Sequence, residues 1–155
     1  MPDIRPENVK QRFPDSIVPL VNGRALIEAA RKNNAMIMAA NIRCRLPVEG
    51  IVLASMSSGA PVMYEIAKSE LTYTEFTPGT FVEFIVSENE RLGNTAVPFA
   101  VHGDHITVKN PEEVDSVRAL IAEELEAGFT SFAIDASHFP YERHRWHNCT
   151  GPANQ

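Results

Sequence analysis

The residues of this chain that could do chemistry are concentrated in the motif His102–His105, which reads His-Gly-Asp-His. Carboxylates exchange protons with substrate hydroxyl groups, and neutral imidazoles bind divalent metals. A second polar group, Asp135 with Ser137 and His138, follows about thirty residues later. The chain therefore carries two clusters of candidate catalytic or metal-binding side chains.

Each cluster follows an apolar run that predicts a buried β-strand. Residues 96–101 precede the first cluster, and Ser131–Ile134 precede the second. A helix is expected between the strands, because Asn110 can cap it, Pro111 suits its first position and Gly128 can end it. Two strands separated by a helix, each ending in polar groups, are typical of a parallel α/β enzyme.

Upstream of these elements the pattern predicts three helices and two strands. The expected order is helix Gly23–Asn33, strand Ala35–Ala40, helix Val48–Ser58, strand Pro61–Ile66 and helix Pro78–Leu92. The buried stripe of the helix after Asn110 is expected to contain Val114, Val117, Leu120, Ile121 and Leu125. The proline-rich residues 1–22 predict an extended arm with at most a short helical turn.

Polar residues near the ends of all four predicted strands favour a barrel. They are Asn41, Ser69, Asp104, His105 and Asp135. In a parallel barrel the catalytic groups collect at the carboxyl ends of the strands, so these side chains are expected to share one mouth. A doubly wound sheet usually carries a G-x-G-x-x-G turn, which the sequence lacks. The predicted fold is α/β, about the first four strand-helix units of a parallel (β/α) barrel of TIM type.

Composition limits the class of protein. The chain has 155 residues, of which 44% are hydrophobic and 22% charged, as is typical of a globular domain. Its longest apolar stretch, residues 35–40, is far shorter than the roughly 20 residues of a membrane helix, and Met1–Arg5 lacks a secretory apolar region. We therefore expect a cytoplasmic protein without a membrane partner.

The net charge of −6 disfavours nucleic-acid binding. The two cysteines lie far apart in the sequence and support neither a disulfide framework nor a cysteine zinc site.

Residues 98–105 and 128–142, together with the helix between them, resemble the class II, zinc-dependent ketose-bisphosphate aldolases, which include the fructose-bisphosphate aldolases. The resemblance runs from about Ala96 to Glu142 and is looser over the preceding strands. It implies reversible cleavage of a ketose bisphosphate, of the fructose 1,6-bisphosphate type, into dihydroxyacetone phosphate and an aldehyde. The implied cofactor is Zn²⁺, which polarises the ketone and stabilises the enediolate, and the implied partner is a sugar phosphate.

The resemblance also implies a role for each candidate residue. His105 matches the family's zinc ligand on this strand. Asp104 matches the carboxylate that exchanges a proton with the hydroxyl on the cleaved carbon. Asp135 matches an acidic position associated with an alternative metal site. Asn41 and Ser69 lie near substrate-contacting positions of the family.

Other interpretations of the same residues stay open. A carboxylate beside a histidine at a strand end can simply cap the next helix or pair with a neighbour, and Asn41 and Ser69 can be ordinary loop residues. His102 is expected to face away from the Asp104-His105 pair and to be structural, as is His138.

The sequence predicts three regions: an N-terminal arm over 1–22, a partial barrel over 23–142 and a non-homologous tail over 143–155. A full barrel takes roughly 250 residues, so the chain supplies about half of one. The family's other zinc-ligating histidines and its phosphate-binding turns would lie in the second half. We hypothesise that the tail, which shows no periodicity, results from a frameshift.

Three classes of function remain open at this point. The first is a class II aldolase, the second a non-catalytic truncated remnant or assembly partner, and the third another metal-dependent barrel enzyme such as a hydrolase. The third is weakest, because such enzymes usually place two histidines at alternate strand positions, whereas His102 and His105 are three apart. A half barrel has two open strand edges, so self-association into a homo-oligomer is expected.

Overall fold

The computed structural model describes residues 3–137, in which four parallel strands form one sheet of order β1-β2-β3-β4. In chain order the elements are α1 (Glu7–Arg12), α2 (Gly23–Lys32), β1 (Met38–Asn41), α3 (Val48–Ser58), β2 (Val62–Ala67), a 3-10 turn (Glu70–Thr72), α4 (Pro78–Arg91), β3 (Phe99–Thr107), a second 3-10 turn (Pro111–Glu113), α5 (Val114–Ala127) and β4 (Ser131–Asp135). This alternation confirms the predicted α/β fold, a partial barrel of TIM type. None of these helices is both long and apolar enough to cross a membrane.

The predicted tail, residues 143–155, lies outside the described residues. His138 and the last residues of the predicted barrel region, 139–142, lie outside them as well. The predicted division of the chain into three regions therefore stays a prediction.

Local signals set the ends of the helices. The side chain of Asn22 accepts a hydrogen bond from the Arg24 amide at 2.9 Å, and that of Asn110 accepts one from the Glu113 amide at 3.1 Å. These caps satisfy amide groups that have no partner within the helix. At the other end of α5, Gly128 takes a left-handed φ of +106°, which glycine adopts without strain. The helices consequently begin and end close to the predicted positions.

The two faces of the sheet have different partners, because successive side chains of a strand point to opposite sides. One face packs against α3 and α4 and forms the main core, in which Tyr64 and Val101 are at most 1% exposed. The opposite face carries Met63 and Ala100, which pack with Leu26 of α2. We call the face that carries Met63 and Ala100 the inner face of the sheet.

The segment before α2 packs on the barrel segment instead of extending from it. Helix α1 buries Val9, and Asn8 Nδ2 donates to the carbonyl oxygens of Leu125 and Phe129 at 2.9 Å each. Leu20 is fully buried and forms an isolated parallel bridge with the start of β3. The predicted extended arm is thus a docked segment, because its apolar side chains occupy buried positions.

Two strands differ from the prediction. The expected buried strand over residues 35–40 is β1, whose side chains are largely exposed because β1 is an edge strand of the described sheet. Strand β3 does not end at Val101. It pairs with β2 as far as Asp104 and with β4 as far as Thr107, so the motif lies within the strand.

The buried stripe of α5 also differs in part. Val117 is buried as predicted, but Leu125 is 43% exposed. The position that turns inward, two helical turns after Val117, is Glu124, which is 0% exposed. The hydrophobic pattern predicted that Leu125 would be buried. The rotation of α5 about its axis instead places the neighbouring Glu124 in the interior.

Candidate functional site

A row of polar side chains crosses the inner face near the carboxyl ends of the strands. Asn41 of β1 is in register with Glu65 of β2, and Glu65 is in register with His102 of β3. Asp104 follows His102 by two positions and is in register with Ala67. Registered neighbours in a parallel sheet, and residues two apart on one strand, point to the same side. The fold therefore brings Asn41, Glu65, His102 and Asp104 together.

The Asp104 carboxylate lies between two imidazoles. Its Oδ1 is 3.9 Å from His102 Nε2, and its Oδ2 is 3.6 Å from His105 Nε2. The side chain of His102 is 12% exposed, that of Asp104 21% and that of His105 74%. The carboxylate thus remains accessible from solvent. The predicted orientation of His102 was wrong, because two residues separated by one position in a strand share a face.

The surroundings of His102 favour its neutral form. Burial lowers the pKa of the imidazole, and this effect exceeds the opposite effect of the Asp104 carboxylate. Neutral imidazole is the form that binds metals and accepts protons. His102 is therefore available for either role near neutral pH.

A β-bulge separates Asp104 from the last part of β3. The register with β4 shifts between Gly103 and Ile106, and His105 has a φ of +45°. Because a bulge adds one residue to a strand, Ile106 turns to the side of α5 and packs near Val117, while the His105 side chain lies exposed. Asp104 thus keeps its register with β2 on the inner face, whereas the His105 side chain is exposed.

Asn41 is engaged by a buried carboxylate that sequence reasoning missed. Glu70 is 3% exposed and accepts hydrogen bonds from Asn41 Nδ2 at 2.8 Å, from the Ala67 amide at 2.9 Å and from Arg43 Nε. Burial of Glu70 disfavours the ionised form, but these hydrogen bonds outweigh it and leave the pKa below its ordinary value. Glu70 thus holds the ends of β1 and β2 together, and substrate contact by Asn41 stays a prediction.

The remaining predicted residues lie near strand ends, as expected. Ser69 is exposed two residues beyond β2, and its carbonyl accepts from the amide and the hydroxyl of Thr72 at 3.2 and 2.6 Å. Asp135 is the last residue of β4, and its Oδ1 accepts from the Ser137 amide at 2.9 Å. Their roles in substrate and metal binding stay predictions.

Within residues 3–137, the metal-binding side chains that converge in a group of three are Glu65, His102 and Asp104, whose donor atoms lie within 4.8 Å of one another. Neither His105 nor Asp135, the predicted metal ligands, belongs to that group. Glu65 was missed because it lies inside an apolar strand. A single charged residue within an otherwise apolar strand was the sequence signal that could have identified Glu65 as a candidate site residue.

The sequence matches the family model described as "Fructose-bisphosphate aldolase class-II" over residues 21–145. This chain belongs to that family. A fructose-bisphosphate aldolase from Staphylococcus aureus (strain Mu50 / ATCC 700699) is 29% identical over 127 residues, which cover 81% of this chain and 40% of that protein. A fructose-bisphosphate aldolase from Giardia intestinalis is 26% identical over 125 residues, covering 81% of this chain and 35% of that protein.

A solved structure agrees with the fold of this class II aldolase family member. The YdjI aldolase from Escherichia coli K12 superposes with a TM-score of 0.61 and 22% sequence identity, covering 80% of this chain and 42% of that chain. The chain spans less than half the length of each of these relatives. These comparisons confirm the resemblance found around the His102–His105 motif and the partial barrel.

Proposed function

We propose that this chain is a cytoplasmic class II aldolase segment that takes part in the zinc-dependent, reversible cleavage of a ketose bisphosphate. The substrate is of the fructose 1,6-bisphosphate type, and the products are dihydroxyacetone phosphate and an aldehyde. The observation that carries the proposal is the Asp104 carboxylate, which is 21% exposed and lies between two imidazoles. Membership of the family supports the type of reaction.

Asp104 acts as the base of this reaction. During cleavage the hydroxyl on the cleaved carbon loses its proton to a carboxylate oxygen of Asp104. The electron pair of the O–H bond forms the aldehyde carbonyl, and the pair of the broken carbon–carbon bond moves toward the ketone. In the direction of synthesis Asp104 returns the proton, so the same group serves as acid and base.

His105 is the proposed zinc ligand, and Asp135 a ligand of an alternative metal position. The His105 imidazole is exposed at the mouth beside Asp104, so its Nε2 is accessible to an ion. It supplies one ligand, and within residues 3–137 it belongs to no group of three metal-binding side chains. Bound zinc supplies the Lewis acid that polarises the ketone. Asn41 and Ser69 are the proposed substrate contacts.

The test is release of dihydroxyacetone phosphate by the purified full chain with zinc and fructose 1,6-bisphosphate, followed by an NADH-coupled assay. We expect zinc-dependent release that His105→Ala abolishes. Lys109→Ala, an exposed position just beyond β3, is the control and retains the wild-type rate. If the folded wild-type chain releases no dihydroxyacetone phosphate, the proposal that this chain is catalytic is wrong. That result would favour a non-catalytic remnant or assembly partner. Tagatose bisphosphate and an unphosphorylated ketose, assayed in parallel, identify the substrate.

The open edges of the sheet support an assembly function as the second candidate. Within residues 3–137, β1 and β4 each pair on one side only, and Met38 and Ile134 on these strands are 53% and 60% exposed. Unpaired edges are templates for pairing with another chain. We propose that copies of the chain associate through these edges.

Sedimentation at increasing protein concentration tests this association. We expect oligomers that Ile134→Lys weakens, because a charge on an edge strand opposes pairing. Ile17→Lys, at a position 73% exposed outside the sheet, is the matched control and leaves association unchanged. A wild-type chain that stays monomeric at every concentration contradicts the proposal.

A further inference from the structure

We propose that two copies of this chain close one eight-stranded barrel, in which β4 of each copy pairs in parallel with β1 of the other. A closed barrel of this type has eight parallel strands, and the described sheet supplies four of them. The proposal rests on the association through strand edges proposed above. It adds the number of copies and the register, and it places residues of both copies at one mouth.

The shear of such a barrel fixes the register of the new strand pair. Following paired neighbours once around eight strands returns to the first strand about eight residues from the start, so half of the circuit shifts the register by about four. Asn41, Glu65, His102 and Ser131 are successive neighbours in the described sheet, and the new seam is the next step. Ser131 therefore meets the partner's residue four positions before or after Asn41, which is residue 37 or 45.

Only the first of these registers pairs both strands along their length. With Ser131 opposite Ile37, residues 38–41 lie opposite residues 132–135, which matches the observed bounds of β1 and β4. Arg45 lies beyond the end of β1, so the second register would leave the two strands unpaired. The shear and the strand bounds thus select one arrangement.

The same register brings like faces of the two strands together. Ala39 is in register with Met63 and therefore lies on the inner face. Ser131 is in register with His102, so Ala133, two positions later, also lies on the inner face. Ala39 and the partner's Ala133 become neighbours on one side of a continuous sheet, whereas a shift by one residue would oppose inner and outer side chains.

Apolar side chains are exposed on both edges that the seam covers. Met38 on β1 is 53% exposed, and Ile134 on β4 is 60% exposed. Beside β1 lies a mainly apolar groove, whose lining includes Ile37 and Ala39. Because the partner's β4 begins opposite Ile37, closure places that strand beside the groove. Burial of this apolar surface and pairing of the edge backbone groups stabilise the closed form.

Closure also brings Asp135 of one copy beside Asn41 of the other, at the carboxyl ends of their strands. Arg43 and Arg45 follow β1, and their side chains are 64% and 48% exposed. Each already pairs with a glutamate, yet this exposure leaves both guanidinium groups accessible to a further carboxylate. Opposite charges therefore meet at the seam, and the shared mouth receives Asn41 and Asp135 from different copies.

Disulfide formation between two single-cysteine variants tests the seam. In a background with Cys44→Ser and Cys149→Ser, chains carrying Ala39→Cys and chains carrying Ala133→Cys are refolded together and oxidised. Neighbouring strands lie about 4.8 Å apart, within the Cα distance of about 4.4–6.8 Å that a disulfide needs. We expect covalent dimers on a non-reducing gel from the mixture and none from either variant alone, because each variant alone places its cysteine opposite an alanine.

Ala40→Cys mixed with Ala133→Cys is the matched control, since residue 40 points to the other face of the sheet and its sulfur cannot reach. Circular dichroism checks that every variant folds, and sedimentation of the wild-type chain is expected to show association that stops at two copies. Association without the disulfide between residues 39 and 133, or growth beyond two copies, would overturn the closed barrel and leave edge association intact. A chain that stays monomeric overturns both, and none of these results depends on release of dihydroxyacetone phosphate.

Discussion

Replacement of Asp104 by Asn is expected to lower kcat/KM for aldol cleavage by about 10²- to 10⁴-fold, the usual contribution of a positioned acid–base group. Asn has nearly the shape of Asp but cannot take up the hydroxyl proton. The side chain is partly exposed and its imidazole neighbours are 3.9 and 3.6 Å away, so the change leaves the packed core intact. The loss should therefore appear in the rate without unfolding the chain.

Asp115→Asn is the matched control for this variant. Asp115 lies on α5, its side chain is 94% exposed, and it pairs with Arg118 at 3.5 Å. Such an exposed pair contributes little to stability, so kcat/KM should equal that of the wild type. Initial rates over a range of substrate concentrations give both parameters. A folded Asp104→Asn protein with wild-type kcat/KM would show that another group moves the proton.

Glu124, which is buried against the motif strand, is expected to lower the stability of the chain as the pH rises. Glu124 is 0% exposed, and within the described residues neither of its carboxyl oxygens has a hydrogen-bond partner. Burial, with a smaller contribution from Glu123, raises the pKa of Glu124 from 4.5 to about 7. Between these two values the folded state keeps a proton that the unfolded state has released, so the free energy of unfolding decreases with increasing pH.

The size of this effect follows from the shift. Each unit of pKa difference corresponds to about 1.4 kcal/mol, so Glu124 costs the folded chain about 3 kcal/mol once the pH exceeds the folded-state pKa. Below pH 4.5 the group is protonated in both states and the cost disappears. This is a large part of the stability of a small domain.

Gly103 creates the space that Glu124 occupies. A Cβ atom on residue 103 would lie 2.7 Å from Glu124 Oε2, 3.1 Å from the Ile106 side chain and 3.2 Å from the Phe132 side chain. The first of these contacts is shorter than Cβ atoms make in packed proteins, and the other two are tighter than most. The glycine of the motif therefore accommodates a carboxyl group on α5, directly behind the strand that carries Asp104.

Urea unfolding at a series of pH values measures the predicted effect. Glu124→Gln is expected to gain stability relative to the wild type as the pH rises from 4.5 to about 7, because the amide does not titrate. Glu126→Gln, at an exposed position on the same helix, is the control and should keep the wild-type dependence. Identical pH dependence in wild type and Glu124→Gln would contradict the assignment.

Features of this protein that depend on neighbours in the sequence could be predicted from the sequence alone. The limits of α5 are an example, since Asn110 caps amides three positions ahead and Gly128 ends the helix with its own backbone. The alternation of strands and helices could be predicted because it follows from local hydrophobic patterns. The resemblance of the His102–His105 region to its family is likewise carried by a short run of neighbouring residues. Asp104 and His105 were singled out as candidates by residue type and spacing, and their roles stay predictions.

Other features depend on pairing between distant strands, and only the tertiary structure decided them. The register of β2 with β3 brings Glu65 to His102, and a bulge in β3 shifts its register with β4 near His105. The rotation of α5 turns Glu124 inward. A periodicity predicts which element forms but not its register or rotation, because these are set by packing against partners far away in the chain. The group of donors that converges was for that reason visible only in the folded molecule.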